Sequence, residues 1–311
     1  MSAHTVSVVI PTTGRPELRA AVESVLAQTL PVTEVIVAAD VAGELSLPDD
    51  PRVRVLRSGP GAGGNAARQA GIEAATGELI ALLDDDDEWL PDKLERQLAL
   101  APTGDHWIVS GPVLATSADG KERVWPDRAI KTGESLPQYI FRKHRLRGGI
   151  GFVQASTLLF PRALALECPF DPALRFHQDV AWLVLVAERH RGLTPAMTLE
   201  PVTRYAIGGS AVTGKIDPLA SIAWGEQHLA ALDARTRGDF FLTSPVIFAR
   251  RQSSPRGALA AFRAAFRNGR PGLPAIAYAT ASLVLTCLRS LARKPAGGAR
   301  RAAGDNRLQN S

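Results

Sequence analysis

Two hydrophobic periods alternate along the first part of the chain, one strand-like and one helical. Val6, Val8, Val9 and Ile10 form a β-branched run closed by Pro11, which predicts a buried strand over residues 5–11. Across residues 16–28 the apolar positions Leu18, Val22, Val25 and Leu26 recur at helical spacing, residues 34–39 are a second apolar run, and 52–56 alternate. A glycine-rich loop over 59–64 leads into a helix over 65–75, and 78–83 form the next strand. Strands and helices alternating at this length predict an α/β fold, a central and mostly parallel sheet flanked by helices. Ligands of such sheets bind beyond the carboxyl ends of the strands, where the loop 12–15, Asp40 and Asp84 to Asp87 all fall.

Downstream the pattern predicts strands over 106–115 and 123–125, a short helix over 136–144, a flexible loop over 148–151 and a strand over 152–160. Phe170-Asp171-Pro172 starts a turn that leads through Phe176-His177-Gln178-Asp179 into a helix over 180–190, with Trp182 and Val186 on its buried side. Asp179 thus stands at a helix N-terminus, where an N-cap is the plain structural role.

With 311 residues and 45% hydrophobic content, the chain can build one large domain with an appendage or two domains. Its formal charge of +5 divides unevenly. Residues 1–236 hold 23 Lys and Arg against 29 Asp and Glu, and residues 237–311 hold 13 against 2, so the net charges are −6 and +11. That division argues against nucleic acid as a partner of the whole and points to a separate anionic partner for the tail, a membrane surface first. The two cysteines, Cys168 and Cys287, lie far apart in no metal-ligand spacing, which suggests a reducing compartment. Residues 1–5 show no basic and apolar leader, so a cytoplasmic location is expected.

The chemistry concentrates at Leu83-Asp84-Asp85-Asp86-Asp87-Glu88-Trp89, where five acidic residues follow an apolar strand. Like charges so packed become tolerable when a divalent cation or well-placed donors share the site. A solvated turn capping the next helix, with Pro91 at its start, is the structural alternative. Gly59-x-Gly61-x-x-Gly64 matches a dinucleotide fingerprint with Asp84 at the right distance. It comes too late, though: β-α-β structure precedes it, Pro60 removes a donor, and four aspartates stand where a ribose needs one carboxylate. The stretch from Gly209 to Gly214-Lys215 has P-loop spacing but carries Ile216 where a metal-binding hydroxyl is required. As a mobile loop, it could still bring Lys215 over a charged substrate.

Four ordered segments resemble the family 2 glycosyltransferases of the GT-A fold: Val6 to Thr12, Arg15 with Ser24 to Thr29, Asn65 to Gly71, and Leu83 to Leu94. Phe170-Asp171-Pro172 followed by Gln178-Asp179 is similar to the family's later signature. The resemblance covers roughly residues 5–210 and implies residues 1–236 as the catalytic domain, with a nucleotide-binding half over 1–100 and an acceptor-binding half over 101–236. It implies Pro11, Thr12, Arg15, Asp40, Arg68, Asp84 and Asp85 on the nucleotide-sugar donor, Asp86 with Asp84 on Mg²⁺ or Mn²⁺, and Asp179 as the base that deprotonates an acceptor hydroxyl. The acceptor would be a glycan, a lipid-linked or a small molecule. Two departures stand out. Strand 2 ends Ala39-Asp40 where the family has paired aspartates, so a UDP-sugar is a default, and Gln178 replaces a Glu. A degenerate domain that binds nucleotide or glycan without turnover is the rival that these departures motivate.

Residues 237–295 predict a basic, partly apolar helical extension and 296–311 a disordered tail. On a helix from Arg256, Arg263, Arg267 and Arg270 share one direction, beside Leu259, Phe262 and Phe266. Residues 272–288 carry no charge, but seventeen residues reach only about 25 Å against a hydrocarbon core of about 30 Å. Packing on the catalytic domain and interfacial attachment to an anionic membrane are the leading expectations for this segment, and a true span is the third.

Overall fold

The computed structural model describes residues 4–117, 119–206 and 216–292. In chain order the elements are β1 (Val6–Thr12), α1 (Leu18–Leu26), β2 (Glu34–Ala39), β3 (Val53–Arg57), α2 (Gly64–Ala74), β4 (Leu79–Leu82), β5 (Glu88–Trp89) and α3 (Lys93–Leu98). There follow β6 (Trp107–Ser110), β7 (Val113–Thr116), β8 (Glu122–Trp125), α4 (Leu136–Phe141), a 3₁₀ turn (Ala155–Thr157), β9 (Leu159–Pro161), α5 (Arg162–Glu167), α6 (Gln178–Arg189), β10 (Thr194–Met197) and β11 (Thr203–Ala206). Five helices complete the chain: α7 (Pro218–His228), α8 (Ala234–Phe241), α9 (Ser244–Arg251), α10 (Pro255–Asn268) and α11 (Leu273–Ala292).

Seven strands form the main sheet in the order β10-β6-β9-β4-β1-β2-β3, with β9 antiparallel to its neighbours and the other pairs parallel. The mixed α/β architecture is that of the GT-A type. β1, β2 and β4 are buried along their whole lengths, as parallel strands covered on both faces must be. Alternate residues feed two cores: Val8, Ile10, Val35 and Val37 pack against α1, and Val9, Ile36, Ala38 and Leu82 face α2. Gly71 lets α2 approach β1, because a Cβ there would strike the side chain of Val9. A second sheet, β5-β11-β7-β8, stands beside the end of β4.

Three expectations need correction. The run 106–115 is two strands, because the chain leaves the main sheet at Gly111-Pro112: Pro112 has no N–H for the ladder, and a Cβ on Gly111 would meet Thr198 and Val202. Residues 152–160 form only the short strand β9, since Gln154 and Thr157 hydrogen-bond each other's backbone and bend the chain into the 3₁₀ turn. Asp179 is not a cap either: α6 starts at Gln178 and His177 occupies the cap position. The segment from Gly209 to Lys215 and the tail 296–311 lie outside the described residues.

The C-terminal helices join the same core. Phe240, Phe241, Ala261, Ala265, Ala275 and Ala279 belong to one apolar cluster with Phe141, Trp182 and Val186. α10 turns its small residues Gly257, Ala258, Ala261, Ala264 and Ala265 inward and leaves Leu259 and Phe266 exposed. α11 packs on α9 and α10, with Ala275, Ala279, Ser282 and Thr286 buried along one stripe. Among the described residues no helix is long and apolar enough to cross a membrane.

Candidate active site

The carboxyl ends of β1, β2 and β4 bring Thr12, Asp40 and the acidic run to one side of the sheet. After β4 the four aspartates alternate. Asp85 and Asp87 are buried, and Asp84 and Asp86 are turned outward with side chains 26% and 30% exposed. Asp85 accepts the Thr12 hydroxyl at 2.6 Å and lies 3.7 Å from Arg15. Burial pushes its carboxyl up against the pull of those two partners. Asp87 accepts Ser156 Oγ and Gln154 Nε2, both at 2.6 Å, and burial together with the Asp84 charge pushes it up to about 8. Arg15 pairs with Asp86, and Arg68 donates to Asp84 at 2.7 Å.

Arg68 is the centre of the arrangement. It is buried on α2, donates from Nη1 to Asn65 Oδ1 at 2.9 Å, and the same Nη1 lies 3.8 Å from Asp179, while Nη2 serves Asp84. One guanidinium therefore contacts both the acidic run and the first turn of α6. Its Nε has no hydrogen-bond partner among the described residues. Asp179 also accepts the Ala155 backbone N–H at 3.0 Å. Burial raises its carboxyl, Arg68 opposes that rise, and the Asp84 charge adds to it.

Asp40, at the end of β2, has backbone partners. Its two carboxylate oxygens each accept a backbone N–H at 2.8 Å, from Ala62 and Gly63, and so shape the glycine-rich loop ahead of α2. Gly63 turns the chain there at φ 94, a conformation that favours glycine. Pro11 stays within β1 and is buried.

Sequence patterns missed the turn that ties these groups together. Ser156 Oγ accepts the Asp84 N–H at 2.9 Å while donating to Asp87, and Gln154 Nε2 reaches both Asp87 and, at 3.2 Å, Asp84. The next residue, Ala155, holds Asp179. Small polar residues inside an apolar run were the available signal. Also unforeseen is an aromatic row on the second sheet's side, Trp125 stacked on Phe152 at 3.9 Å and Phe152 near Tyr205 at 6.0 Å. The Tyr205 phenol is pushed up by burial and by the charges of Asp87 and Asp86.

The cap residue His177 links the site to the C-terminal helices. It adopts a left-handed conformation, φ 54, and its ring packs on Trp224, Phe240 and Phe248, with Nε2 2.9 Å from Ser221 Oγ. Burial holds its imidazole down to about 4, so it is neutral at physiological pH.

As a donor set, Asp84 and Asp86 fit a hard cation. Two outward carboxylates are what a Mg²⁺-type ion takes from a protein when phosphate oxygens supply the rest, and the two arginines drawn to them show that the place favours positive charge.

The strand ends of the main sheet thus gather an acidic run and two arginines beside a helix-borne carboxylate. The model of glycosyl transferase family 2 matches residues 7–167, and the chain belongs to that family. AmsB of Erwinia amylovora, an amylovoran biosynthesis glycosyltransferase, is 33% identical over 147 residues, 46% of either chain. TuaG of Bacillus subtilis (strain 168), named for teichuronic acid biosynthesis, is 36% identical over 228 residues, 70% of this chain and 85% of TuaG. The matched part spans less than half the length of AmsB. Among solved structures, S. aureus TarS 1-349 in complex with UDP-GlcNAc aligns with a TM-score of 0.49 at 17% identity, over 86% of this chain and 74% of that one.

Proposed function

We propose that this protein is an inverting, metal-dependent glycosyltransferase that moves a sugar from a nucleotide-sugar, a UDP-sugar by default, to an acceptor hydroxyl. The observation that carries this reading is the group Asp84, Arg68, Asp179, in which one buried guanidinium contacts both an outward carboxylate of the acidic run and a carboxylate on α6. Asp84 and Asp86 would hold Mg²⁺ or Mn²⁺. A bound ion of this kind supplies positive charge to the departing nucleoside diphosphate. Thr12 and Arg15, beside the acidic run, serve the donor.

Asp179 accepts the proton of the acceptor hydroxyl as that oxygen attacks the anomeric carbon from the face opposite the leaving group. A single displacement inverts the configuration. Burial makes Asp179 more basic than a surface aspartate, and Arg68 favours its ionised form, so it is a base held ready for a proton. The names of AmsB and TuaG support a glycan acceptor in polysaccharide biosynthesis.

A lipid-linked acceptor and attachment to the inner face of a membrane draw support from α10. Arg256, Leu259, Arg263, Phe266 and Arg267 are all exposed and share an arc of about 100° on that helix. Leu273 and Leu288 on α11 are exposed as well. Such a face suits an anionic bilayer surface.

The test is a binding and transfer screen of nucleotide-sugars with and without Mn²⁺ or Mg²⁺, on the wild type, Asp86→Ala and Asp179→Asn. Metal-dependent donor binding should be lost in the first variant, and binding kept with transfer lost in the second. Absence of nucleotide binding under every metal condition would overturn the reading. For the membrane, co-sedimentation with anionic liposomes should fall when Leu259 and Phe266 are replaced by Ser; equal pelleting would end that part.

A further inference from the structure

A second group of metal-ligating side chains lies away from the acidic run, beyond the amino end of β6. His106 precedes β6, Glu167 ends α5, and His190 follows α6. Their ligand atoms all lie within 4.8 Å of one another, which makes them the one such group among the described residues. His190 Nε2 is 3.3 Å and His106 Nε2 3.5 Å from the same Glu167 oxygen, Oε2. Two ligands held 2.0–2.1 Å from a tetrahedral ion stand about 3.4 Å apart, so both spacings match edges of such a tetrahedron. The two imidazoles stack at 4.0 Å with both Nε2 atoms near that carboxylate oxygen, so one ring has to turn for both in-plane lone pairs to meet a single ion. His106 is 46% exposed on the side chain and can turn its ring without disturbing the core. The buried thiol of Cys168 adds a soft atom 3.5 Å from His190 Nε2.

We propose that His106, Glu167 and His190 form a site for a divalent transition-metal ion of the zinc class, separate from the carboxylates that serve the donor. The chemistry decides the class: two imidazole nitrogens and one carboxylate suit Zn²⁺ and its borderline neighbours, whereas Mg²⁺ and Mn²⁺ prefer the all-oxygen set of the acidic run. Three protein ligands leave a fourth position for water. Such an ion ties the carboxyl ends of α5 and α6 to the start of β6. Because α6 carries Asp179 in its first turn, the ion would brace the helix from the end opposite the base.

Calorimetric titration of untagged protein with Zn²⁺, in excess Mg²⁺, should show one equivalent bound with micromolar or tighter affinity and a rise in the thermal midpoint. The Co²⁺-substituted protein should show the intense visible bands of a tetrahedral ion. His106→Ala and Glu167→Gln, both at exposed side chains, should weaken Zn²⁺ binding at least tenfold and keep the fold, as judged by circular dichroism, while Asp86→Ala binds Zn²⁺ as the wild type does. The proposal fails if no equivalent binds, or if it binds equally in His106→Ala and Glu167→Gln, or if Asp86→Ala abolishes it.

Discussion

The acidic run after β4 and the first turn of α6 both bring a carboxylate to Arg68, and different kinds of neighbour hold the two there. Asp84 to Asp87 are delivered by a strand buried between β1 and β9, then fixed by hydroxyls, an amide and two arginines. Asp179 instead follows His177, whose left-handed backbone is kept in place by Trp224, Phe240 and Phe248 of the C-terminal helices. The donor side is therefore built on the main sheet, with the turn at Gln154 to Thr157 as a distant support. Placement of the proposed base depends, besides the Ala155 N–H, on α7, α8 and α9, far along the chain.

Four substitutions test that contrast. The largest effect belongs to Asp179→Asn, which keeps the shape and removes the base: transfer should fall by about 10²–10⁴-fold with donor affinity unchanged. Steady-state rates beside donor titration check it, and a matching loss of donor binding would show that the two sides are not separate. Next comes Trp224→Ala. Removing a buried indole costs about 3–5 kcal/mol, visible as a lower urea midpoint, and the surviving folded protein should bind donor normally but transfer slowly.

The third test uses pH. The folded His177 resists protonation down to about 4, whereas the unfolded chain takes up the proton near 6.5. Between those values the unfolded state binds more protons, so stability from this group is complete above about pH 6.5 and is lost as pH falls to about 4. The whole effect is roughly 3 kcal/mol. Urea denaturation across that window should therefore show a shallower pH slope in His177→Gln than in wild type. The smallest effect is expected at Asp87→Asn. With its carboxyl pushed up to about 8, Asp87 is largely neutral at pH 7, and an amide oxygen can still accept from Ser156 and Gln154. Stability should change by less than about 1 kcal/mol, in contrast to the loss of donor binding in Asp86→Ala.

The order of strands and helices through Leu82 was legible because apolar runs and helical spacing are local signals, and element ends moved by only one or two residues. So was the gathering of Thr12, Arg15, Asp84 and Asp86 at the strand ends, whereas Arg68, on α2, was pointed to by the family resemblance alone. The turn at Gln154 to Thr157 was not. Its side chains look like ordinary strand positions until a carboxylate from a distant strand arrives to accept from them. The backbone partners of Asp40 were not legible either: only the returning loop brings the N–H groups of Ala62 and Gly63 to its two oxygens.

By itself the sequence determined the α/β order, the acidic run beyond a buried strand and the resemblance to a family, because these rest on periodicity and on residues close along the chain. Tertiary structure decided which aspartates face outward, that Arg68 contacts both Asp84 and Asp179, and that the basic C-terminal segment packs through its alanines and leaves Leu259 and Phe266 exposed. Those outcomes depend on which groups meet after the chain folds. Burial and pairing energies between residues tens of positions apart leave no periodic mark in the sequence.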